Sequence, residues 1–170
     1  SKQEFFNLVN VGSSDRPGPV FIELCLDTQG APPLLSENAV TQKIENVLAA
    51  ANDVEQVVQK LHASQRPVLL IGGGVSRKTA QSIQQSMSDS GIPVMTTWNG
   101  ADRIDASHPQ YLGRPNTWGQ RAANLLMAQA DVIVAVGTRL GMQQTGFNWQ
   151  EFGRNAFIVQ VDIDKSELEK

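Results

Sequence analysis

Residues 68–79 read VLLIGGGVSRKT, an apolar run that breaks into Gly72, Gly73 and Gly74 and turns polar at Ser76. A short, wholly apolar run bounded by turn residues is a buried strand, and Ser76 is a good N-cap for a following helix. Together they predict a strand–turn–helix unit. Glycines in such a turn serve where backbone must approach closely or take a positive φ. A helix start behind them aims N–H groups and the positive dipole end at a phosphate. The run has neither G-x-G-x-x-G spacing nor the P-loop spacing G-x-x-x-x-G-K-[ST]. A tight turn that holds no ligand is therefore the other reading of these three glycines.

Working outward, the alternation continues on both sides. Val54, Val57, Val58 and Leu61 recur at i, i+3, i+4 and i+7, with Asn52 or Asp53 as N-cap, and Arg66-Pro67 ends that helix. Beyond Ser76, Ala80, Ile83 and Met87 mark the buried face of one helix that stops at Gly91. Residues 92–97 are the next strand, followed by a polar loop, NGADRIDASHPQYLGRPNTWG, over residues 99–119. Residues 121–129 form a helix with Ala122, Leu125 and Leu126 on its buried face. Residues 131–136 and 157–161 are two more strands, and Asp164 caps a last helix.

Apolar strands alternating with amphipathic helices predict an α/β fold, a Rossmann-like parallel sheet flanked by helices on both faces. Ligands of such sheets bind outside the carboxyl ends of the strands. The candidate rim is then residues 72–76, 97–100, 137–140 and 162–164. Asp162 suits a ribose hydroxyl or adenine amino group, or else helps cap the next helix. Arg139 suits a phosphate, or else a surface ion pair. Trp98, Trp118 and Trp149 sit in loops at strand ends or helix starts, where indoles either plug loop bases or stack on a ligand or partner.

The first thirty residues stand outside this alternation. PGPVFIEL, residues 17–24, reads as a turn feeding a strand, and Cys25 between Leu24 and Leu26 reads as a small core residue. A linker with Pro32-Pro33 follows. The chain has 170 residues, one cysteine, 17 acidic and 14 basic residues. That excludes an intramolecular disulfide and a CxxC metal site, and the lack of a basic run argues against nucleic acid. His62 and His108 cannot make a histidine-rich metal site and read as surface residues. No apolar stretch reaches the ~18–20 residues of a membrane span. With no signal-peptide pattern at the N-terminus, a cytoplasmic protein without membrane attachment is expected. Neither a Ser/His/Asp arrangement nor a paired Glu23 and Asp27 has the context of a catalytic site.

Taken in order, GPVFIELCLD, RPVLLIGGGV, GIPVMTTWNG, HPQYLG, ADVIVAVGTRL and VQVDIDKSEL resemble the thiamine-diphosphate-dependent enzymes of the acetolactate synthase type. The resemblance implies three α/β domains in the parent enzyme. Residues 1–30 correspond to the C-terminal tail of the pyrimidine-binding domain, 31–51 to a linker and 52–170 to the central domain. The resemblance places thiamine diphosphate and Mg²⁺ on the other two domains, so this chain alone is not expected to catalyse. It further implies a homodimer or homotetramer of the parent, and FAD or ADP in the central domain of some members. The residues it assigns to that cofactor are Gly72, Gly73, Gly74, Thr97, Trp98, Asn99, Gly113, Gly137, Arg139, Asp162 and Ile163. Departures fall on the flavin-binding stretch. Asn116 stands where a second glycine belongs, and Leu140, Gly141, Met142 and Gln143 replace two acids and an arginine. A free-standing nucleotide-binding module is the alternative reading, and an NAD-dependent Rossmann enzyme is disfavoured by the glycine spacing.

Overall fold

The computed structural model describes residues 2–14, 17–30 and 48–169. Most of the expected linker, residues 31–47, lies outside the described residues. The chain divides into two compact units, Ser1–Leu48 and Ala49–Lys170.

In the first unit, helix α1 spans Lys2–Ser13 and a single turn, α2, spans Leu26–Gln29. Residues 17–25 are not a strand, contrary to the reading of PGPVFIEL as a turn feeding one. A strand exists by laddering to a neighbour, and among the described residues this segment has none. Cys25, expected in a core, is exposed for the same reason, as are Phe21, Leu24 and Leu26.

The second unit is a four-stranded sheet of β1 (Pro67–Ile71), β2 (Val94–Thr96), β3 (Val132–Val136) and β4 (Phe157–Val161). Every neighbouring pair is parallel and the order is β2-β1-β3-β4. Alternate residues of β1 face opposite ways, and each face has its own core. Val68 and Leu70 pack with Met95, Ile133 and the α6 helix (Arg121–Gln129) through Ala123 and Met127. Ile71 and Val94 pack with α4 (Arg77–Ser82) through Ala80 and with α5 (Gln84–Ser90) through Met87. Helices thus cover both faces, as expected.

Several local expectations change. The single helix expected after Ser76 is two, because Ile83 at φ −100°, ψ 0° leaves helical geometry between α4 and α5. Its ends hold as read: Ser76 Oγ accepts the Thr79 N–H and Gly91 closes α5 at φ 65°. Helix α3, Ala51–Ala63, begins after Ala50 without a side-chain cap, not at Asn52 or Asp53, and Val54 and Val58 stay exposed. On α6 the buried residues are Ala123 and Met127, whereas Leu125 and Leu126 are exposed. Both stripes have helical spacing, and packing selects the small alanine for close approach. Strand β2 is shorter than residues 92–97, though its outer edge is covered: Leu112 N–H donates to Val94 O at 2.9 Å. His108 is half-buried, with Nε2 3.0 Å from Ser88 Oγ.

Asp131 ties the end of α3 to the start of β3, accepting from Gln65 N–H at 2.8 Å and Arg66 N–H at 2.9 Å. These bonds, the Gln65 one foremost, hold its carboxyl below the ordinary value of 3.8. A depressed folded-state pKa gives stability that is present above the unfolded value and lost as pH falls through the folded one. Asp131→Asn is expected to lower the urea midpoint at neutral pH. It should also shrink the loss of stability between about pH 5 and pH 3. Tryptophan-detected unfolding at several pH values checks both.

Candidate functional site

The order β2-β1-β3-β4 reverses direction between β1 and β3, so the loops after these strands flank the topological switch point. Residues 72–75 follow β1 and residues 137–140 follow β3. The two loops meet backbone to backbone. Gly72 N–H donates to Val136 O at 2.8 Å and Gly74 N–H to Gly137 O at 2.9 Å. A Cβ on Gly72 would lie 2.1 Å from Gly137 O, and one on Gly74 2.9 Å from the same atom. Gly137 itself has φ 61°. The third loop closes on the first: Thr97 N–H reaches Ile71 O at 3.0 Å, and a Gly73 Cβ would stand 3.0 Å from Asn99 Cβ. Gly72, Gly73, Gly74, Thr97, Asn99 and Gly137 are therefore brought together. What requires the glycines in this geometry is the approach of neighbouring backbone.

The other expected residues are distributed around this centre. Gly113, at φ 97°, lies beyond β2, where Thr96 N–H donates to its carbonyl at 3.1 Å. A Cβ there would lie 2.0 Å from Gln120 Oε1, which caps Arg114 N–H. Asn116 is buried rather than open. Its Oδ1 accepts Trp118 N–H at 2.7 Å, while its backbone N–H and C=O pair with the Asn124 side chain at 3.0 Å each. Trp98 stacks on Trp118, with ring centroids 6.4 Å apart and planes inclined by 28°. Arg139 is exposed, and Leu140 takes φ 48°, a left-handed conformation unusual for a branched side chain. Asp162 follows β4 directly, and one of its carboxylate oxygens accepts Asp164 N–H at 3.0 Å, with Ile163 beside it exposed. No hydrogen bond among the described residues joins Asp162 to the glycine turn.

Sequence reasoning missed the cation behind that turn. Arg103, in the loop after β2, donates to Gly73 O at 3.1 Å, to Val75 O and to Asp102, and its side chain is only 9% exposed. Asp102 also accepts from Arg77 at 2.6 Å. That bond chiefly, with the Arg103 charge, holds the Asp102 carboxyl below its ordinary value. Nothing in the polar string ADRID distinguishes Arg103 from a solvated arginine. A cleft of ≈ 490 Å³ lies beside Arg77, Gln84, Asp102 and Arg103, to one side of the switch point. Among the described residues, no three His, Cys, Asp or Glu side chains converge to hold a metal. No described helix is long and apolar enough to cross a membrane.

Comparison with known proteins matches this architecture. Over 162 residues the chain is 33% identical to the acetolactate synthase isozyme 2 large subunit of Escherichia coli, covering 95% of this chain and 29% of that protein. It is 28% identical to a probable acetolactate synthase large subunit of Methanococcus aeolicus, over 98% of this chain and 29% of the relative. It is 30% identical to the acetolactate synthase large subunit of Corynebacterium glutamicum, over 98% and 27%. The chain thus spans under a third of the length of these relatives. The family profile described as the central domain of thiamine pyrophosphate enzymes matches residues 54–170, which include the whole sheet and its carboxyl rim. On that match and this fold, the chain belongs to the thiamine pyrophosphate enzyme central-domain family.

Proposed function

We propose that this chain is the central, non-catalytic domain of an acetolactate-synthase-like enzyme that decarboxylates a 2-oxo acid and joins the remainder to an acceptor. The observation that supports it is the glycine turn. In a sheet matched to a central domain, the loops at the switch point are packed on one another instead of framing a reacting group. Thiamine diphosphate with Mg²⁺ supplies carbanion-stabilising chemistry when bound, and the residues that hold it belong to the flanking domains of the parent.

The rim suits the adenosine diphosphate half of FAD, or ADP itself, better than a flavin ring. Asp162 has a second carboxylate oxygen with no partner among the described residues, next to the exposed Ile163. Gly73 N–H likewise has no acceptor among the described residues, and exposed Arg139 follows the Gly137 turn. Asp162 would accept from the ribose, Ile163 would pack on the adenine and Arg139 would meet a phosphate. At the flavin stretch, the Asn116 side chain is committed within the protein and no acid stands at residues 140–143.

The test uses the full-length enzyme. Release of CO₂ from pyruvate should require thiamine diphosphate and Mg²⁺, and heat should liberate an adenine nucleotide, identified as ADP or FAD by chromatography. Asp162→Ala should lower nucleotide affinity by about tenfold, the size of one lost charge-assisted hydrogen bond. Decarboxylation should stay within about twofold of the parent, because uniform loss of a remote contact leaves the chemical step alone. Thiamine-independent decarboxylation, or a rate that falls in step with the nucleotide, would overturn the reading.

A further inference from the structure

The loop after β2 runs back along the outer edge of that strand and is fastened to α5 by an imidazole. His108 Nε2 lies 3.0 Å from Ser88 Oγ and 3.3 Å from Gln84 O, both on α5. On the other side of the ring, Gln110 N–H donates to Nδ1 at 3.3 Å. Two of these partners admit a single role each. A peptide N–H only donates, so Nδ1 carries no proton, and a peptide carbonyl only accepts, so Nε2 carries one. The bonds themselves select the neutral ring and its tautomer. Ser88 and His108 have the spacing of a serine–histidine dyad. A ring nitrogen that already holds a proton cannot take one from a hydroxyl, so the pair is not a nucleophile and its base.

An imidazolium does not fit this arrangement. With Nδ1 protonated, two N–H groups would face each other across the 3.3 Å that a hydrogen bond now spans. The closed segment also carries an unmet demand, because Gln110 Oε1 is buried without a hydrogen-bond partner. A buried acceptor left unpaired favours any rearrangement that gives it water or a donor. We propose that residues 105–111 form a pH-sensitive clip, closed on α5 while His108 is neutral and released when its imidazole takes up a proton. Histidine is the side chain whose charge changes between about pH 5 and pH 8. The other charged or titratable groups on the elements packed around it are Asp89 on α5, Arg77 on α4, Asp102, Arg103 and Asp105 in the loop, and Tyr111. Among the described residues none of them bonds to the imidazole: Asp89 accepts from Gln85, Arg77 and Arg103 pair with Asp102, Asp105 accepts from Ser107, and the Tyr111 hydroxyl meets Thr96. The Ser107 hydroxyl holds the Asp105 carboxyl below its ordinary value, and the Arg77 bond does the same for Asp102, so both stay ionised through this window. Release reaches beyond the clip. Gln110 O accepts Val94 N–H at 2.8 Å on the edge of β2, and Gln84 Nε2 holds Arg103 O at 3.1 Å from the same turn of α5.

Hydrogen exchange of the full-length enzyme, read on peptides by mass spectrometry, tests the clip independently of any nucleotide or thiamine chemistry. After correction for the intrinsic pH dependence of exchange, opening of residues 105–111 should rise about tenfold between about pH 7.5 and pH 5.5. That factor is the linkage of one proton to an imidazole that titrates near pH 6.5 once exposed to water. Strand β3 and helix α3, which carries the exposed His62, should change by less than about twofold, so that the loosening is local. His108→Asn keeps a polar side chain without a titrating group, and its exchange should be the same at both pH values. Gln110→Leu removes the unpaired acceptor and keeps the peptide N–H. It should slow opening at neutral pH by at least about fivefold and retain the slope. If His108→Asn does not fold, the parent and Gln110→Leu decide between them: a local slope in the first and slower opening with that slope kept in the second sustain the proposal, and absence of either overturns it. It is overturned equally if α3 and β3 loosen in step with residues 105–111, or if the slope survives in a folded His108→Asn protein.

Discussion

Gly72→Ala is expected to destabilise the fold by about 3 kcal/mol or more, a large loss for one methyl group. The added Cβ would stand 2.1 Å from Gly137 O, 2.6 Å from the Gly137 carbonyl carbon and 2.7 Å from Thr138 Cβ. Two of these three obstacles are backbone atoms, which cannot rotate away. Relief requires β1 and β3 to part at their carboxyl ends, and that breaks the Gly72-to-Val136 and Gly74-to-Gly137 hydrogen bonds. Gly141→Ala is the matched control. Gly141 has an ordinary φ of −68° and nothing within 4 Å of the new methyl. Its replacement should change stability by no more than about 1 kcal/mol, the gain through the unfolded chain opposing the poorer N-cap that Ala makes for the turn at residues 142–145. Urea unfolding of the three proteins measures both changes, and a Gly72→Ala protein as stable as its parent would show that the switch-point loops separate without cost.

The same glycines show how far sequence reaches. The strand of residues 67–71, the Ser76 cap and the Gly91 stop are local signals, each decided by a few neighbouring residues, and all three stand where they were read. The role of Gly72–Gly74 is a different matter, because a ligand phosphate and a neighbouring backbone make the same demand on a side chain. Only the position of Gly137 separates the two. The α6 helix has two stripes of helical spacing, and the periodicity of Ala122, Leu125 and Leu126 is as good as that of Ala123, Met127 and Ala130. The sheet selects the second. Residues 17–24 have strand propensity, yet a strand is a relation between two segments and cannot be realised by one. Trp98 and Trp118, twenty positions apart, give no sign in sequence that they stack.

The fold and its rim are also coupled in a way that leaves no mark on composition. Arg103 joins the loop after β2 to the turn after β1, and Arg77 on α4 reaches the same carboxylate, so three segments share one ionic network around Asp102. The Gly73 carbonyl is thereby held toward the guanidinium, and because the O and H of one trans peptide point opposite ways, the Gly74 N–H of the same unit is turned toward Gly137 O, which it meets at 2.9 Å.

Arg103→Met is accordingly expected to cost about 3 kcal/mol, although no catalytic group is touched. Methionine replaces the apolar stem as far as about the Nε position, so the loss is chiefly that of the guanidinium and its donors. Gly73 O and Val75 O lose their partner, and Asp102 loses its nearer cation. Arg103→Lys should recover less than half, because one ammonium cannot reproduce the planar fork that spans two carbonyls and a carboxylate. Asp102 adds a pH signature. Its depressed carboxyl stabilises the fold above the unfolded pKa and loses that contribution as pH falls through the folded value. Arg103→Met should make the acid decline shallower, while leaving part of it through the Arg77 bond, the larger cause of the shift. Because Gly72→Ala disturbs the same turn, the two substitutions together should cost less than their sum, by on the order of 1 kcal/mol. Urea unfolding of both single variants and the double variant gives that coupling. Strict additivity would mean that the glycine turn and the Arg103 loop hold their shapes independently.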